Sequence, residues 1–228
     1  MSIQDNIIAI KNEIPKSVKL IAVSKTKPIE YIEQAYSCGQ RVFGENKAQE
    51  MRDKHEKLPK DIQWHFIGHL QENKIKYIIQ YVSMIHSIDS LHILSEIDKK
   101  ANKINRVVDC LFEMDISHEE SKFGMSLDQA STLVNSDEFK QMNNVRICGV
   151  MGVGSITDNK QQTEKEFNNL RDIFQQLKNK FFSDKDFFKE ISMGMTGDYK
   201  IAISQGSTMI RIGSKIFGER DYSKKIND

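Results

Sequence analysis

Eight short runs rich in β-branched and other apolar residues recur along this chain: Leu20–Ser24, Arg41–Gly44, Ile62–Gly68, Met84–Ser87, Val107–Asp115, Val145–Met151, Glu190–Ser192 and Met209–Ile212. Between them the apolar residues fall at helical spacing, as in Ile29, Ile32, Ala35 and Tyr36, or Leu91, Leu94, Ile97 and Ala101. The clearest stripe is Phe167, Leu170, Ile173, Phe174 and Leu177. Strand and helix thus alternate eight times, after an extra N-terminal helix at Gln4–Glu13. That alternation is the pattern of a parallel α/β fold, and eight repeats is the number that closes a barrel. The expectation is a single (β/α)8 TIM-type barrel. A doubly wound open sheet shares the alternation, and periodicity alone does not separate the two. Ser126 followed by Asp128 and Gln129, and Thr163 followed by Glu166, predict helix starts.

The 228 residues suit one such barrel, so residues 1–228 are read as one domain. Three prolines and no Gly/Ser-rich run leave no visible linker. Lys plus Arg number 33 and Asp plus Glu 32, a net charge of +1. Such a balance makes no global case for nucleic acid or an anionic membrane, although a local basic pocket stays open. Cys38, Cys110 and Cys148 are widely spaced without a Cys-x-x-Cys, which argues against a disulfide scaffold or zinc ribbon and fits a reducing compartment. The N-terminus has no secretory character, and no run approaches the ~20 apolar residues of a membrane span. A cytoplasmic protein is expected.

A barrel places its site where strands end. After the first strand comes Lys25, in parity with Ile21 and Val23. If those point into the barrel, Lys25 points into its mouth. Desolvation there would lower its pKa and make the amine a better nucleophile toward an aldehyde; a solvated lysine beside Lys27 satisfies the same spacing. Gly44-Glu45-Asn46 ends the second strand, and Asn46 can both donate and accept. Ser192-Met193-Gly194-Met195-Thr196-Gly197-Asp198 follows the seventh strand and precedes a helix. Small residues, a hydroxyl and backbone N–H groups make it a candidate anion cradle. Gly213-Ser214 after the eighth strand offers the same groups, and Arg211 interrupts that strand either outward or functionally inward. Barrels commonly hold phosphate after strands seven and eight.

Other patterns carry less. His65 and His69 are four apart, but Phe66 stands where a zinc protease needs glutamate, on a strand rather than a helix. They read as polar residues of a strand and its loop, and no metal site is expected. Gly149, Gly152 and Gly154 are in the wrong order for a dinucleotide loop. No nucleophile elbow or phosphate-loop lysine motif occurs.

Several of these segments together resemble the pyridoxal phosphate homeostasis proteins (the YggS/PROSC group). They are Ala22-Val-Ser-Lys25-Thr-Lys-Pro28, Phe43-Gly-Glu-Asn46, Trp64-His-Phe-Ile-Gly-His-Leu-Gln71, Glu120-Ser-Lys-Phe-Gly124, Ser192-Met-Gly-Met-Thr196, Gly206-Ser-Thr-Met-Ile-Arg-Ile-Gly213 and Ile216-Phe-Gly218, in family order. The resemblance implies a barrel like the N-terminal domain of alanine racemase, with pyridoxal 5′-phosphate (PLP) held as a Schiff base on Lys25. It implies that Thr196, where the family usually has serine, and the Gly213-Ser214 turn hold the phosphate, that Arg211 faces the pyridine nitrogen, and that Asn46 lines the pocket; Ser192 and Gly194 of the cradle segment are taken with them as cofactor-binding residues. The stretch from Gly149 to Ser155 departs from the family's usual form, so the shape of one pocket wall is open.

An arginine at the ring nitrogen disfavours a pyridinium and weakens PLP as an electron sink. Alanine racemases also draw a tyrosine acid/base from a second domain, and only Glu219–Asp228 follow Gly218 here. A PLP-binding role in vitamin B6 homeostasis is therefore expected, with no catalytic residue assigned, acting as a monomer with PLP-dependent apo-enzymes as candidate partners. The alternatives are a PLP-dependent amino-acid racemase and a phosphate-ligand barrel without covalent cofactor.

Overall fold

The computed structural model describes residues 2–117 and 123–219. Glu120, Ser121 and Lys122 of the family stretches, and residues 220–228, lie outside them. Eight parallel strands close into a barrel in sequence order. They are β1 (Lys19–Val23), β2 (Val42–Glu45), β3 (Gln63–Phe66), β4 (Met84–Ile88), β5 (Val108–Met114), β6 (Val145–Gly152), β7 (Glu190–Ser192) and β8 (Met209–Ile212). Closure is direct: Leu20 pairs with Ile210 and Ile21 with Arg211 between β1 and β8. That pairing settles barrel against open sheet.

Helix α1 (Ile3–Glu13) precedes the barrel, capped by a reciprocal Ser2–Asp5 box. Around the outside run α2 (Ile29–Ser37), α3 (Ala48–Lys57), α4 (Leu91–Asn102), α5 (Leu127–Asn135), α6 (Asp137–Gln141), α7 (Lys160–Phe181), α8 (Tyr199–Ser204) and α9 (Ser214–Phe217). The crossover between β3 and β4 is the exception to strict alternation. It holds only a 3₁₀ segment, Glu72–Tyr77. Ile75, Ile78, Ile79 and Val82 are buried there in a run of β-branched residues, which disfavour a regular helix. Among the described residues no helix is long and apolar enough to cross a membrane.

Two apolar layers result. The larger lies between strands and helices, with Trp64, Phe43, Phe112 and Phe167 fully buried. The smaller fills the barrel axis with Ile21, Met84, Leu111, Cys148, Met151 and Met209. Ile21 and Met209 thus face inward, and the period of two carries Val23, Lys25 and Arg211 to the same side.

Ser126 caps α5 with Gln129 as expected, in a reciprocal box. The Thr163 start is corrected: α7 begins three residues earlier. The Asn159 side chain accepts from the N–H groups of Gln161 and Gln162, and this cap takes the place of a Thr163 start. Thr163 and Glu166 are buried inside the helix. Replacing Asn159 by Ala is expected to cost about 1 kcal/mol, read as a lower urea midpoint at unchanged slope. An unchanged midpoint would contradict the cap.

Candidate functional site

A cavity of about 430 Å³ opens at the C-terminal ends of the strands. Its wall carries Lys25 and Lys27 after β1, Asn46 after β2, Thr196 and Gly197 after β7, and Gly213 and Ser214 after β8, with Arg211 at its base. Val23, Ile67, Val153 and Met195 supply apolar surface. Six of the eight residues singled out in the sequence meet here: Lys25, Asn46, Thr196, Arg211, Gly213 and Ser214.

Lys25 is half-buried in a tight turn, closed by the Lys27 N–H donating to the Ser24 carbonyl at 3.0 Å. Lys27 is drawn aside: its Nζ donates to the carbonyls of Gly218 and Glu219 at 3.0 and 2.7 Å. Asn46 contributes a buried Oδ1 that meets no donor. Its backbone is pressed against Gly68, where an added Cβ would lie 2.4 Å from the Asn46 carbonyl oxygen.

The turns after β7 and β8 complete the wall, the second of them directly beside the end of β1. Asp198 folds the first by accepting the Met195 N–H at 2.5 Å. The N–H groups of Thr196, Gly197, Gly213 and Ser214 meet no acceptor among the described residues. With the Thr196 and Ser214 hydroxyls they form a donor-rich edge suited to an anion.

Ser192 and Gly194 sit outside the cavity wall. Gly194 is buried at φ +95°, and a Cβ there would lie 2.5 Å from the Ala202 Cβ. Its role is to let the loop pass under α8. Ser192 faces the barrel axis and holds Arg211. Arg211 Nη1 donates to the Ser192 carbonyl at 2.8 Å and to its Oγ at 2.7 Å, and Nη2 donates to the Gly152 carbonyl at 3.0 Å. Three of five guanidinium N–H groups are thereby used beneath the cavity. Burial lowers the Arg211 pKa to about 10, partly offset by Asp198 and Glu113, so it stays charged at neutral pH.

The hydrogen-bonded chain continues below. His86 Nδ1 lies 3.0 Å from Ser192 Oγ, and His86 Nε2 lies 2.8 Å from His65 Nδ1. Both imidazoles are buried and held neutral: burial lowers His65 to about 3 and His86 well below its ordinary value. His65 is thus a barrel-interior residue, while His69 turns away to Asp89 and stacks on Phe123. His86 escaped the sequence reading, though its parity with inward-facing Met84 on β4 marks it.

A smaller cavity of about 160 Å³ shares Val153 with the first and is lined by Glu113, whose carboxyl burial raises to about 7. The loop after β6, the stretch of unusual sequence, is tied down by Glu166. Its Oε2 accepts from Ser155 N–H and its Oε1 from Ser155 Oγ, each at 2.7 Å.

The model of the alanine racemase N-terminal domain matches residues 1–221. A protein of Aquifex aeolicus named pyridoxal phosphate homeostasis protein is 38% identical over 205 residues, covering 90% of this chain and 88% of its own. One of Pasteurella multocida with the same name is 37% identical, covering 98% of this chain and 100% of its own. PipY of Synechococcus elongatus PCC7942, solved with PLP bound, is 30% identical with a TM-score of 0.86, covering 95% of this chain and 100% of that one. The chain belongs to the pyridoxal phosphate homeostasis protein family, within the alanine racemase N-terminal domain group.

Proposed function

We propose that this chain, as one barrel domain over residues 1–228, binds PLP for intracellular B6 homeostasis and holds it covalently on Lys25. One observation carries the reading: a half-buried lysine and two donor-rich turns share one cavity of about 430 Å³. The buried Asn46 Oδ1, which meets no donor among the described residues, supports the same reading. PLP supplies an aldehyde whose carbon forms a C=N bond to a primary amine, the carbonyl oxygen leaving as water.

Lys25 would be that amine. Thr196, Gly197, Gly213 and Ser214 would cradle the phosphate, and Asn46 would accept a hydrogen bond near the ring. Arg211, pinned from below, would present its remaining donors to the pyridine nitrogen and keep it unprotonated. Retention rather than turnover is supported by the lining, which among the described residues carries no carboxylate, imidazole, thiol or phenol. Lys27, the other amine on the wall, is engaged by two carbonyls. PLP-dependent apo-enzymes are the proteins such a carrier would supply.

Borohydride reduction of the protein with PLP, followed by peptide mapping, tests this directly. A pyridoxyl group on Lys25 is expected. An adduct confined to other lysines, or none, would overturn the proposal.

A further inference from the structure

We infer that a buried ion cluster between the end of β2 and α3 sets the direction of the Lys25 side chain by clamping the backbone on both sides of it. This positioning role rests on Lys25 being the PLP-bearing amine. Lys54 reaches under the turn and donates to the Ser24 carbonyl at 2.7 Å, to Glu45 Oε1 at 2.8 Å and to Glu50 Oε1 at 2.6 Å. An ammonium has three N–H groups, so all are used. Glu45 is fully buried and also accepts from Ser24 Oγ at 2.6 Å. Glu50 Oε1 accepts the Thr26 N–H at 2.6 Å. The peptide group before Lys25 and the one after it are thus gripped by one cluster.

The local backbone shows why a grip is needed. Thr26 has φ +63°, in the left-handed region where a β-branched residue is disfavoured. It occupies the position after Lys25 in the turn closed by Lys27 N–H and Ser24 O. A glycine would adopt that geometry freely. Strained conformations persist only where surrounding contacts over-determine them, and they gather at functional sites. Lys54 and Glu50 are those contacts. A lysine with its side chain only 7% exposed, bound to two carboxylates, is also a costly feature for a barrel exterior to keep without use.

The test follows the absorbance of the Lys25–PLP adduct after mixing, with melting temperature measured in parallel. Glu50→Ala removes the acceptor of the Thr26 N–H and is expected to slow adduct formation on the order of tenfold, the loss for one charge-assisted hydrogen bond. Glu50→Gln keeps an acceptor and should recover most of the rate. Adding Thr26→Gly to Glu50→Ala should also recover rate, because glycine needs no clamp to hold φ near +63°. Should Glu50→Ala fail to fold, Glu50→Asp is read the same way, since it keeps the charge but withdraws the oxygen from Thr26.

Ser207→Ala is the control. Ser207 is buried, and its single O–H donates among the carbonyls of Met193 at 2.8 Å, Met209 at 3.0 Å and Ile191 at 3.3 Å, away from the cavity wall. It should lower the melting temperature without slowing adduct formation. A wild-type rate in Glu50→Ala, or equal slowing in Ser207→Ala at equal melting-temperature loss, would overturn the positioning role alone. If the wild-type protein forms no adduct on Lys25, the proposed function and the positioning role fall together.

Discussion

Lys25→Ala is expected to abolish the visible absorbance that PLP acquires on binding, while the protein still folds and still binds phosphate-bearing pyridoxyl compounds weakly. Lys25 is half-buried on the cavity wall rather than in either apolar layer, so its removal leaves the core intact. The N–H and hydroxyl donors of the two turns belong to Thr196, Gly197, Gly213 and Ser214. The variant should therefore lose discrimination between PLP and pyridoxine 5′-phosphate, which lacks the aldehyde, whereas the wild-type protein should strongly prefer PLP.

Thr196→Val gives the complementary result. It removes one hydroxyl donor to a phosphate, worth about 1.5–3 kcal/mol, and should weaken both compounds by a similar factor, roughly 10–150-fold. Equilibrium dialysis of both ligands against both variants measures this. Persistence of the visible band in Lys25→Ala would remove Lys25 from the site.

Those two variants separate the parts of the site that were legible in the sequence for different reasons. Lys25 follows from strand parity with Ile21 and Val23, whereas the direction of Arg211 stayed open in the sequence and is decided by Met209, which faces the barrel axis two residues before it. The two turns were legible because glycines and hydroxyls sit where strands seven and eight end. Ser192 and Gly194 belonged to the same segment by composition, but the chain turns inward at β7. Ser192 then serves Arg211 from below, and Gly194 serves packing against α8.

The polar groups that set the environment were not legible. Lys54 lies in Ala48–Lys57, a strongly polar helix by composition, and reads as one more solvated lysine. It becomes buried only when the end of β2 brings Glu45 against the helix. His65 and His86 are separated by 21 residues, and the parallel pairing of β3 with β4 sets them side by side. Val153 depends on the path of a loop, for which sequence offers no period.

The histidine chain has a consequence for acid stability. An unfolded histidine binds its proton near pH 6.5, while His65 in the barrel does so only near pH 3 and His86 well below its ordinary value, because burial penalises the charged ring. Lys19 and, for His86, Arg211 add repulsion in the same direction. Between those limits the unfolded state binds more protons, so each histidine removes stability as pH falls, by up to about 1.4 kcal/mol per pH unit. Glu45 and Glu113 act oppositely: burial raises both to about 7, so the folded state takes up their protons first and gains stability as pH falls toward the ordinary carboxylate value of 4.5.

Two groups of each sign nearly cancel from pH 6.5 to 4.5. Below 4.5 the carboxyls are protonated in both states and only the histidines still act among these four. Exposed carboxylates held low by partners, Glu13 by Tyr199 and Glu96 by Lys100, add to the loss there. Urea unfolding of the wild-type protein should therefore show a plateau above pH 4.5 and a steep fall beneath it.

His86→Gln isolates the histidine contribution. At pH 7 the variant is expected to be less stable by about 1–3 kcal/mol, since Ser192 and His65 lose well-placed partners. Glutamine does not titrate, so the deficit should narrow as pH falls below 6.5, where the unfolded histidine takes up a proton that the buried ring refuses. A deficit that stays constant from pH 7 to pH 4 would mean that His86 is protonated equally in the folded and unfolded chains. That result would contradict its burial beneath Arg211.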